Sequence, residues 1–138
     1  MTFKKEVSKD SCDLEIEIQN IASKYKFSPP VSSLEKVGDK WFIKMKDLKS
    51  PCLADVYGED PSEIPEWIWT DIREMVSVLL EQEGIEYRDI TSYNFIEKNG
   101  KVYMIDFGHA KYVDLTGKID WFVEEFIDGE NKWNPDYK

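Results

Sequence analysis

Two apolar runs joined by Lys98-Asn99-Gly100 constrain the fold of this chain more than any other feature. Asn-Gly suits a two-residue hairpin turn, because both residues of that turn need a positive φ. The flanking runs, Asn94 to Glu97 and Val102 to Ile105, are therefore predicted to form an antiparallel hairpin. Asn94 opens the first strand, and Asp106 follows the second. Since a hairpin brings these two ends together, both polar side chains can point into one cleft.

The strongest helical pattern in the sequence precedes this hairpin. Apolar residues recur three and four positions apart from about Pro65 to Gln82, and Gly84 follows. This spacing predicts a core helix, and a glycine just past the last turn is typical of a helix end. The apolar stripe consists of Ile68, Ile72, Met75, Val76, Leu79 and Leu80.

A second amphipathic helix is predicted near the start of the chain, around residues 13 to 25. Ser11 and Asp13 are its capping candidates, and Pro29 and Pro30 are expected to end it.

The other predicted elements are short and complete an α+β pattern. They are strands at Val31 to Val37 and Trp41 to Met45, a helical turn at Leu53 to Tyr57 in the loop from Asp47 to Pro65, and a last helix at Ile119 to Phe126.

Composition excludes several classes of function. The 138 residues suit one domain, and their formal net charge of -10 disfavours autonomous binding to nucleic acid, which depends on neutralising phosphates. Cys12, Cys52 and the single histidine, His109, lack metal-ligand spacing, so we expect reduced thiols and no zinc site. Because no apolar run approaches bilayer length, we expect a cytoplasmic protein that does not associate with membranes.

Two segments around the hairpin carry a family resemblance. The chain reads Tyr87-Arg88-Asp89-Ile90-Thr91-Ser92-Tyr93-Asn94 before it and Ile105-Asp106-Phe107-Gly108 after it. This order resembles the protein-kinase superfamily, whose catalytic loop reads H-R-D-x-x-x-x-N and whose metal motif reads D-F-G. The resemblance covers about residues 3 to 127 and is specific only from Ile85 to Gly108. It implies a kinase-like α+β fold with two reduced lobes, residues 1–48 and 49–127, and a tail at 128–138.

The resemblance also implies roles for individual residues. Asp89 would be the catalytic base, Arg88 would brace the loop, and Asn94 and Asp106 would hold Mg²⁺ on ATP. The chemistry of these side chains agrees, because Mg²⁺ prefers hard oxygen ligands and a carboxylate can accept the proton of a substrate hydroxyl. Phe107 is expected to pack inward and fix the approach of Asp106, while Gly108 is expected to permit a sharp turn.

Upstream, the same resemblance implies a nucleotide site along Trp41 to Leu48. Met45 would lie beside the adenine, and backbone groups near Lys46 and Asp47 would hydrogen-bond its edge. An ordinary half-buried strand is the alternative interpretation of this segment.

The first helix would then supply a glutamate that pairs with a phosphate-binding lysine. Glu15 is the best match, because Ile18 follows it three residues on, and Glu17 is the alternative. The resemblance implies a short leading strand at Thr2 to Val7 that carries this lysine, and Lys5 is chosen, with Lys4 as the other candidate. Solvated surface charge is the competing interpretation for either lysine.

The sequence also departs from the kinase pattern. It contains no G-x-G-x-x-G, Tyr87 replaces the usual histidine, and Thr91 replaces a lysine. Loss of one such electrostatic donor costs roughly 2.7–4 kcal/mol in other enzymes. No A-P-E sequence follows Gly108, although Asp120 resembles the aspartate that opens the next kinase helix. The short link looks like that of the small atypical kinase of the KEOPS tRNA-modification complex, and compact kinase-like proteins of large DNA viruses are a second likeness.

These features favour an ATP- and Mg²⁺-dependent phosphotransferase of the serine/threonine protein-kinase kind, in the host-cell cytoplasm if the viral likeness holds. The alternatives are a pseudokinase, a docking module, or an ATPase whose site a partner completes. A nucleotide, a protein substrate or partner, and a second copy are the candidate partners. The tryptophans at 67, 69, 121 and 133 belong either to a partner surface or to the core.

Overall fold

Residues 2–114 and 121–129 are described by a computed structural model. Within these ranges the chain forms four α-helices and three small antiparallel sheets, which confirms the α+β prediction. The order is β1 (Thr2–Val7), α1 (Cys12–Lys24), β2 (Val31–Val37), β3 (Lys40–Lys46), α2 (Leu53–Tyr57), α3 (Glu66–Glu83), β4 (Ile85–Glu86), β5 (Phe95–Lys98), β6 (Lys101–Met104), β7 (Lys111–Tyr112) and α4 (Trp121–Ile127). Asp120, Trp133 and most of the predicted tail lie outside the described residues.

The first sheet has the strand order β1-β3-β2 and packs against α1. Because side chains alternate between the two faces of a strand, Ile43 and Met45 of β3 point to the same side. Both are buried, together with Val7 from β1 and Cys12 from α1. Lys5 lies directly opposite Ile43 in the register of β1 and β3. The lysine is therefore on the face of the sheet that meets α1.

The end of α1 differs from the prediction. The helix stops at Lys24, five residues before Pro29, so the prolines do not end it. Instead, Lys26 adopts a positive φ of 66°, and the N–H of Phe27 donates to the carbonyl of Ala22 at 3.0 Å. This is the hydrogen-bond pattern of a Schellman cap, with lysine in the position that usually holds glycine. At the other end, Ser11 occupies the N-cap position, but its side chain makes no capping hydrogen bond.

The larger core is built around α3. All six residues of the predicted apolar stripe are buried, and Gly84 ends the helix with a φ of 66°, as its sequence position predicted. Trp69 is also buried in this core, whereas Trp67 and Trp121 are exposed. Trp69 therefore belongs to the core, and the partner surface stays a prediction for Trp67 and Trp121.

The Asn-Gly hairpin is confirmed. Asn99 and Gly100 have φ values of 54° and 78°, and β5 pairs with β6 from Phe95 opposite Met104. A two-residue pairing of β4 with β7, with Ile85 opposite Tyr112, was not predicted. Such a pair is too short for a periodic pattern to reveal. The loop from 87 to 94 runs between β4 and β5.

Within the described ranges, no helix combines the length and apolar character needed to cross a bilayer.

Candidate active site

Asp89 and Asn94 are joined by hydrogen bonds within the loop between β4 and β5. The amide Nδ2 of Asn94 donates to the backbone carbonyl of Asp89 at 2.8 Å and to its carboxylate Oδ2 at 2.9 Å. Asn94 is buried and Asp89 is half-buried. The amide nitrogen thus fixes the orientation of the carboxylate, while the amide oxygen of Asn94 stays outside this pair of hydrogen bonds.

Asp106 lies at the other end of the hairpin and close to Asn94. The N–H of Ile105 donates to the backbone carbonyl of Asn94 at 3.0 Å, which ties the two ends together. Asp106 Oδ1 accepts the backbone N–H of Gly108 at 2.9 Å. The two ends of the hairpin therefore meet as predicted, while the opening of both side chains into one cleft stays a prediction.

Gly108 is needed for space and not for an unusual backbone conformation. A sharp turn does follow, since the N–H of Ala110 donates to the carbonyl of Phe107 at 3.1 Å. Gly108 is absent from the described residues that have a positive φ, so this turn does not depend on the conformational freedom of glycine. A Cβ at this position would lie 3.2 Å from Asp106 Oδ1 and 3.5 Å from Glu15 Oε1. Glycine thus allows the backbone to approach these carboxylates closely.

Lys5 connects β1 and α1 to the hairpin. Its Nζ forms an ion pair with Glu15 Oε2 and lies 3.0 Å from Asp106 Oδ1. Glu15 is buried on the face of α1 that meets the sheet. Three residues that are far apart in the sequence therefore form one charged cluster, with a single lysine between two carboxylates.

The cluster keeps Lys5 charged. Burial on its own favours the neutral amine, but the hydrogen bond to Glu15 and the charge of Asp106 outweigh it, so the pKa of Lys5 is raised above its usual 10.5. A charged lysine in a half-buried cleft can attract phosphate oxygens more strongly than one in open solvent, because screening by water is weaker there.

The alternative residues lie elsewhere. Lys4 is exposed on the opposite face of the sheet, where it pairs with Glu35 at 3.1 Å. Glu17 is also exposed and accepts a hydrogen bond from the Tyr112 hydroxyl at 2.7 Å. The geometry thus selects Lys5 over Lys4 and Glu15 over Glu17 as members of the cluster.

Tyr87 and Phe107 pack beneath the charged residues. Both side chains are buried, and their rings meet edge to face with centroids 5.5 Å apart. Phe107 thus packs inward as predicted. Burial, followed by the negative charges of Asp106, Asp89 and Glu15, raises the pKa of Tyr87 well above 10. The hydroxyl is buried without a hydrogen-bond partner among the described residues.

A pocket opens beside the cluster, between the first sheet and the hairpin. The predicted nucleotide residues Met45, Lys46 and Asp47 all line it. Leu48, at the end of the predicted segment, lines it too, and the lining residues that the sequence did not indicate are Phe3, Pro29, Ser50, Ile96 and Ile105. Its wall is mostly apolar, with backbone polar groups available from the segment after β3, and this composition suits a flat aromatic ligand.

Gln19 is a further residue that the sequence analysis missed. It is fully buried on α1, where its amide Nε2 donates to the carbonyl of Pro29 at 2.8 Å and contacts Met45 Sδ at 3.3 Å. Both acceptors belong to pocket-lining residues. A signal was present in the sequence, because Gln19 follows Glu15 by four positions and so places a second polar residue on the same buried face of a helix.

The remaining predicted residues are less informative. Arg88 is half-buried beside Asp89, and its bracing role stays a prediction. Thr91, in place of a lysine, is buried, as is Ser92. Neither side chain can supply a positive charge to the cleft.

Asn94 and Asp106 stay the predicted ligands for Mg²⁺. Among the described residues, no group of three or more His, Cys, Asp or Glu side chains could hold a metal ion by itself. A pair of protein oxygens nevertheless fits Mg²⁺, which usually keeps several waters and takes further ligands from substrate phosphates.

No protein-family model matches the sequence, and no curated protein matches it at a significant level.

Proposed function

We propose that this chain is an ATP- and Mg²⁺-dependent phosphotransferase with a minimal kinase-like fold. The observation that carries the proposal is the cluster in which Lys5 bridges Glu15 and Asp106. Phosphoryl transfer of the kinase kind requires a lysine held by a helix glutamate, next to an aspartate that binds the metal. Here β1, α1 and the hairpin each contribute one of those residues.

In this proposal, Asp89 is the catalytic base. Asn94 orients its carboxylate through the hydrogen bond to Oδ2, at 2.9 Å, while the half-buried position leaves access for a substrate hydroxyl. A carboxylate in this setting accepts the hydroxyl proton as the oxygen bonds to the γ-phosphorus and the bond from that phosphorus to the β,γ-bridging oxygen breaks, which releases ADP. A serine or threonine side chain is the substrate class that such a base serves.

Asn94 and Asp106 would hold Mg²⁺. The cation, when bound, neutralises charge on the triphosphate during transfer. The amide oxygen of Asn94 is outside the hydrogen bonds that its nitrogen donates to Asp89. Asp106 would bind the cation through its carboxylate, of which Oδ1 lies 3.0 Å from Lys5 Nζ. Lys5, which lies next to Asp106, would contact the phosphate oxygens.

The adenine would occupy the pocket lined by Met45. Its apolar wall would stack on the flat ring, and backbone groups around Lys46 and Asp47 would hydrogen-bond the ring edge.

Calorimetry of ATP binding tests the metal assignment. Asp106→Asn should weaken binding of Mg·ATP far more than binding of ATP in the presence of a chelator, because the amide loses the charge that attracts the cation. Asp55→Asn, at an exposed position on α2, is the matched control and should bind like the wild type. Equal weakening by Asp106→Asn under both conditions would remove Asp106 from the metal site.

A pseudokinase or a partner-completed ATPase is the second candidate. It is favoured by the buried Thr91 in place of a lysine and by the lack of any G-x-G-x-x-G sequence to cover the phosphates. Mg·ATP binding without phosphate transfer to any added hydroxyl acceptor would favour this second candidate.

A further inference from the structure

The β1 strand has an open edge next to the charged cluster. In the sheet order β1-β3-β2, β1 pairs with β3 on one side, and no strand among residues 2–114 and 121–129 pairs with its other side. The strand is six residues long, and Phe3 at its start is 46% exposed. Such an edge can accept another strand through main-chain hydrogen bonds.

We propose that this edge binds the same edge of a second copy, so that two β1 strands pair antiparallel across a two-fold axis. This interaction goes beyond the proposed function, since strand pairing requires no nucleotide. In such a pair, the face of the sheet that meets α1 lies on the same side of the joined sheet in both copies. Residues that oppose each other must then have positions of the same parity, because side chains alternate along each strand.

The sequence of β1 complements itself in one such register. With Lys5 on the two-fold axis, Lys4 of each copy faces Glu6 of the other, and Phe3 faces Val7. This gives two pairs of opposite charges and two apolar pairs, each of which stabilises an antiparallel sheet. Because the register is symmetric, every favourable pair occurs twice.

The neighbouring registers are unfavourable. If the two-fold axis passes through Lys4 instead of Lys5, Lys4 lies opposite Lys4 of the other copy. If it passes through Glu6, Glu6 lies opposite Glu6. Like charges directly opposite each other destabilise a strand pair. In the favoured register the two Lys5 residues face each other, but each ammonium group already forms ion pairs with Glu15 and Asp106 of its own chain, so the register brings no unpaired ammonium groups together.

The existing ion pairs of Lys4 and Glu6 do not prevent this pairing. Lys4 contacts Glu35 and Glu6 contacts Lys40 at 3.8 Å, and both β1 residues remain largely exposed, at 48% and 57% of their side chains. Exposed ion pairs contribute little free energy, so these side chains can turn to the second copy.

Sedimentation velocity over a dilution series from millimolar to micromolar protein tests the proposal without ATP. The wild type should dimerise reversibly. Lys4→Glu and Glu6→Lys should each raise the dissociation constant of the dimer about tenfold or more, because each change creates two like-charge contacts. Lys44→Glu is the matched control, since Lys44 shares Glu35 with Lys4 but lies on β3, and it should dimerise like the wild type.

Mixing the two β1 variants gives the decisive comparison. A Lys4→Glu chain and a Glu6→Lys chain, each impaired alone, place opposite charges together at both positions and should form a mixed dimer with near wild-type affinity. Circular dichroism of each variant checks folding, and the Glu6→Lys arm remains usable if Lys4→Glu does not fold. A wild-type chain that is monomeric at every concentration would overturn the proposal. A dimer insensitive to both β1 substitutions would exclude this edge as its interface. Either result would leave the ATP-binding test unaffected.

Discussion

At the residue scale, Lys5 joins residues from separate parts of the sequence into one site. It is the cation that contacts both Glu15 and Asp106, and these contacts raise its pKa. A lysine held in this way is oriented before any ligand arrives, so little conformational entropy is lost when it binds a phosphate.

Replacing Lys5 should therefore impair nucleotide binding. We expect Lys5→Met to weaken Mg·ATP binding roughly tenfold to a hundredfold, because a hydrogen bond to a charged group contributes about 1.5–3 kcal/mol. Lys4→Met is the matched control on the other face of β1 and should bind Mg·ATP like the wild type. Calorimetry distinguishes the two variants. Equal affinities for both would show that Lys5 does not contact the phosphates.

Tyr87 allows a test of stability at the same scale. Its hydroxyl is buried without a partner in the described parts of the chain, so Tyr87→Phe should raise the free energy of unfolding by about 1 kcal/mol. The pKa of Tyr87 is raised in the fold, so the unfolded chain ionises first as the pH passes about 10, and stability then falls with rising pH. The variant should lose less stability than the wild type between about pH 10 and 11.

Urea unfolding at pH 7 and above pH 10 measures both effects for Tyr87. A variant that is less stable than the wild type at pH 7 would indicate that the hydroxyl makes a hydrogen bond important to the fold.

At the element scale, local sequence signals predicted the hairpin and α3 well. Asn99-Gly100 produced the expected turn, and Gly84 ended α3 with a left-handed residue. The end of α1 was predicted poorly, because the Schellman cap uses Lys26, a residue with no special preference for positive φ. The pairing of β4 with β7 could not be foreseen, since it depends on tertiary packing and not on periodicity.

Lys26 therefore provides a prediction for α1. A non-glycine residue in the left-handed region is strained by roughly 1–2 kcal/mol. Glycine removes this strain, but part of the gain is lost because glycine makes the unfolded chain more flexible. Lys26→Gly should raise the free energy of unfolding by about 0.5–1 kcal/mol. Lys24→Gly, in the last turn of α1, is the control and should lower it by about 1 kcal/mol. Thermal unfolding compares the variants, and destabilisation by both would contradict the assigned cap.

At the scale of the whole molecule, the site depends on contacts that the sequence could only narrow down. The motif order predicted that Asn94 and Asp106 would meet, because a hairpin enforces it. The choice between Lys4 and Lys5, or between Glu15 and Glu17, depends on the register of β1 on β3 and on the rotation of α1. Sequence periodicity favours one face of each element, but only packing decides which charges meet. Gln19, behind the pocket, was not predicted because its contacts with Pro29 and Met45 also depend on the packing of α1.

The charge distribution also has meaning only at this scale. A chain with a formal net charge of -10 repels a triphosphate on average. Binding of ATP therefore requires a local arrangement that reverses this repulsion, and Lys5 together with a bound Mg²⁺ would provide it.

The central claim is that the site transfers phosphate, and Asp89 tests it most directly. The measurement is the rate of γ-phosphate transfer to a hydroxyl acceptor, made on the wild type and on Asp89→Asn, with Mg·ATP affinity measured on the same samples. The account predicts that transfer falls by about 10²–10⁴-fold in Asp89→Asn, because a base acts on the substrate proton, while Mg·ATP affinity stays nearly unchanged. Transfer that proceeds at the wild-type rate in Asp89→Asn would contradict the account.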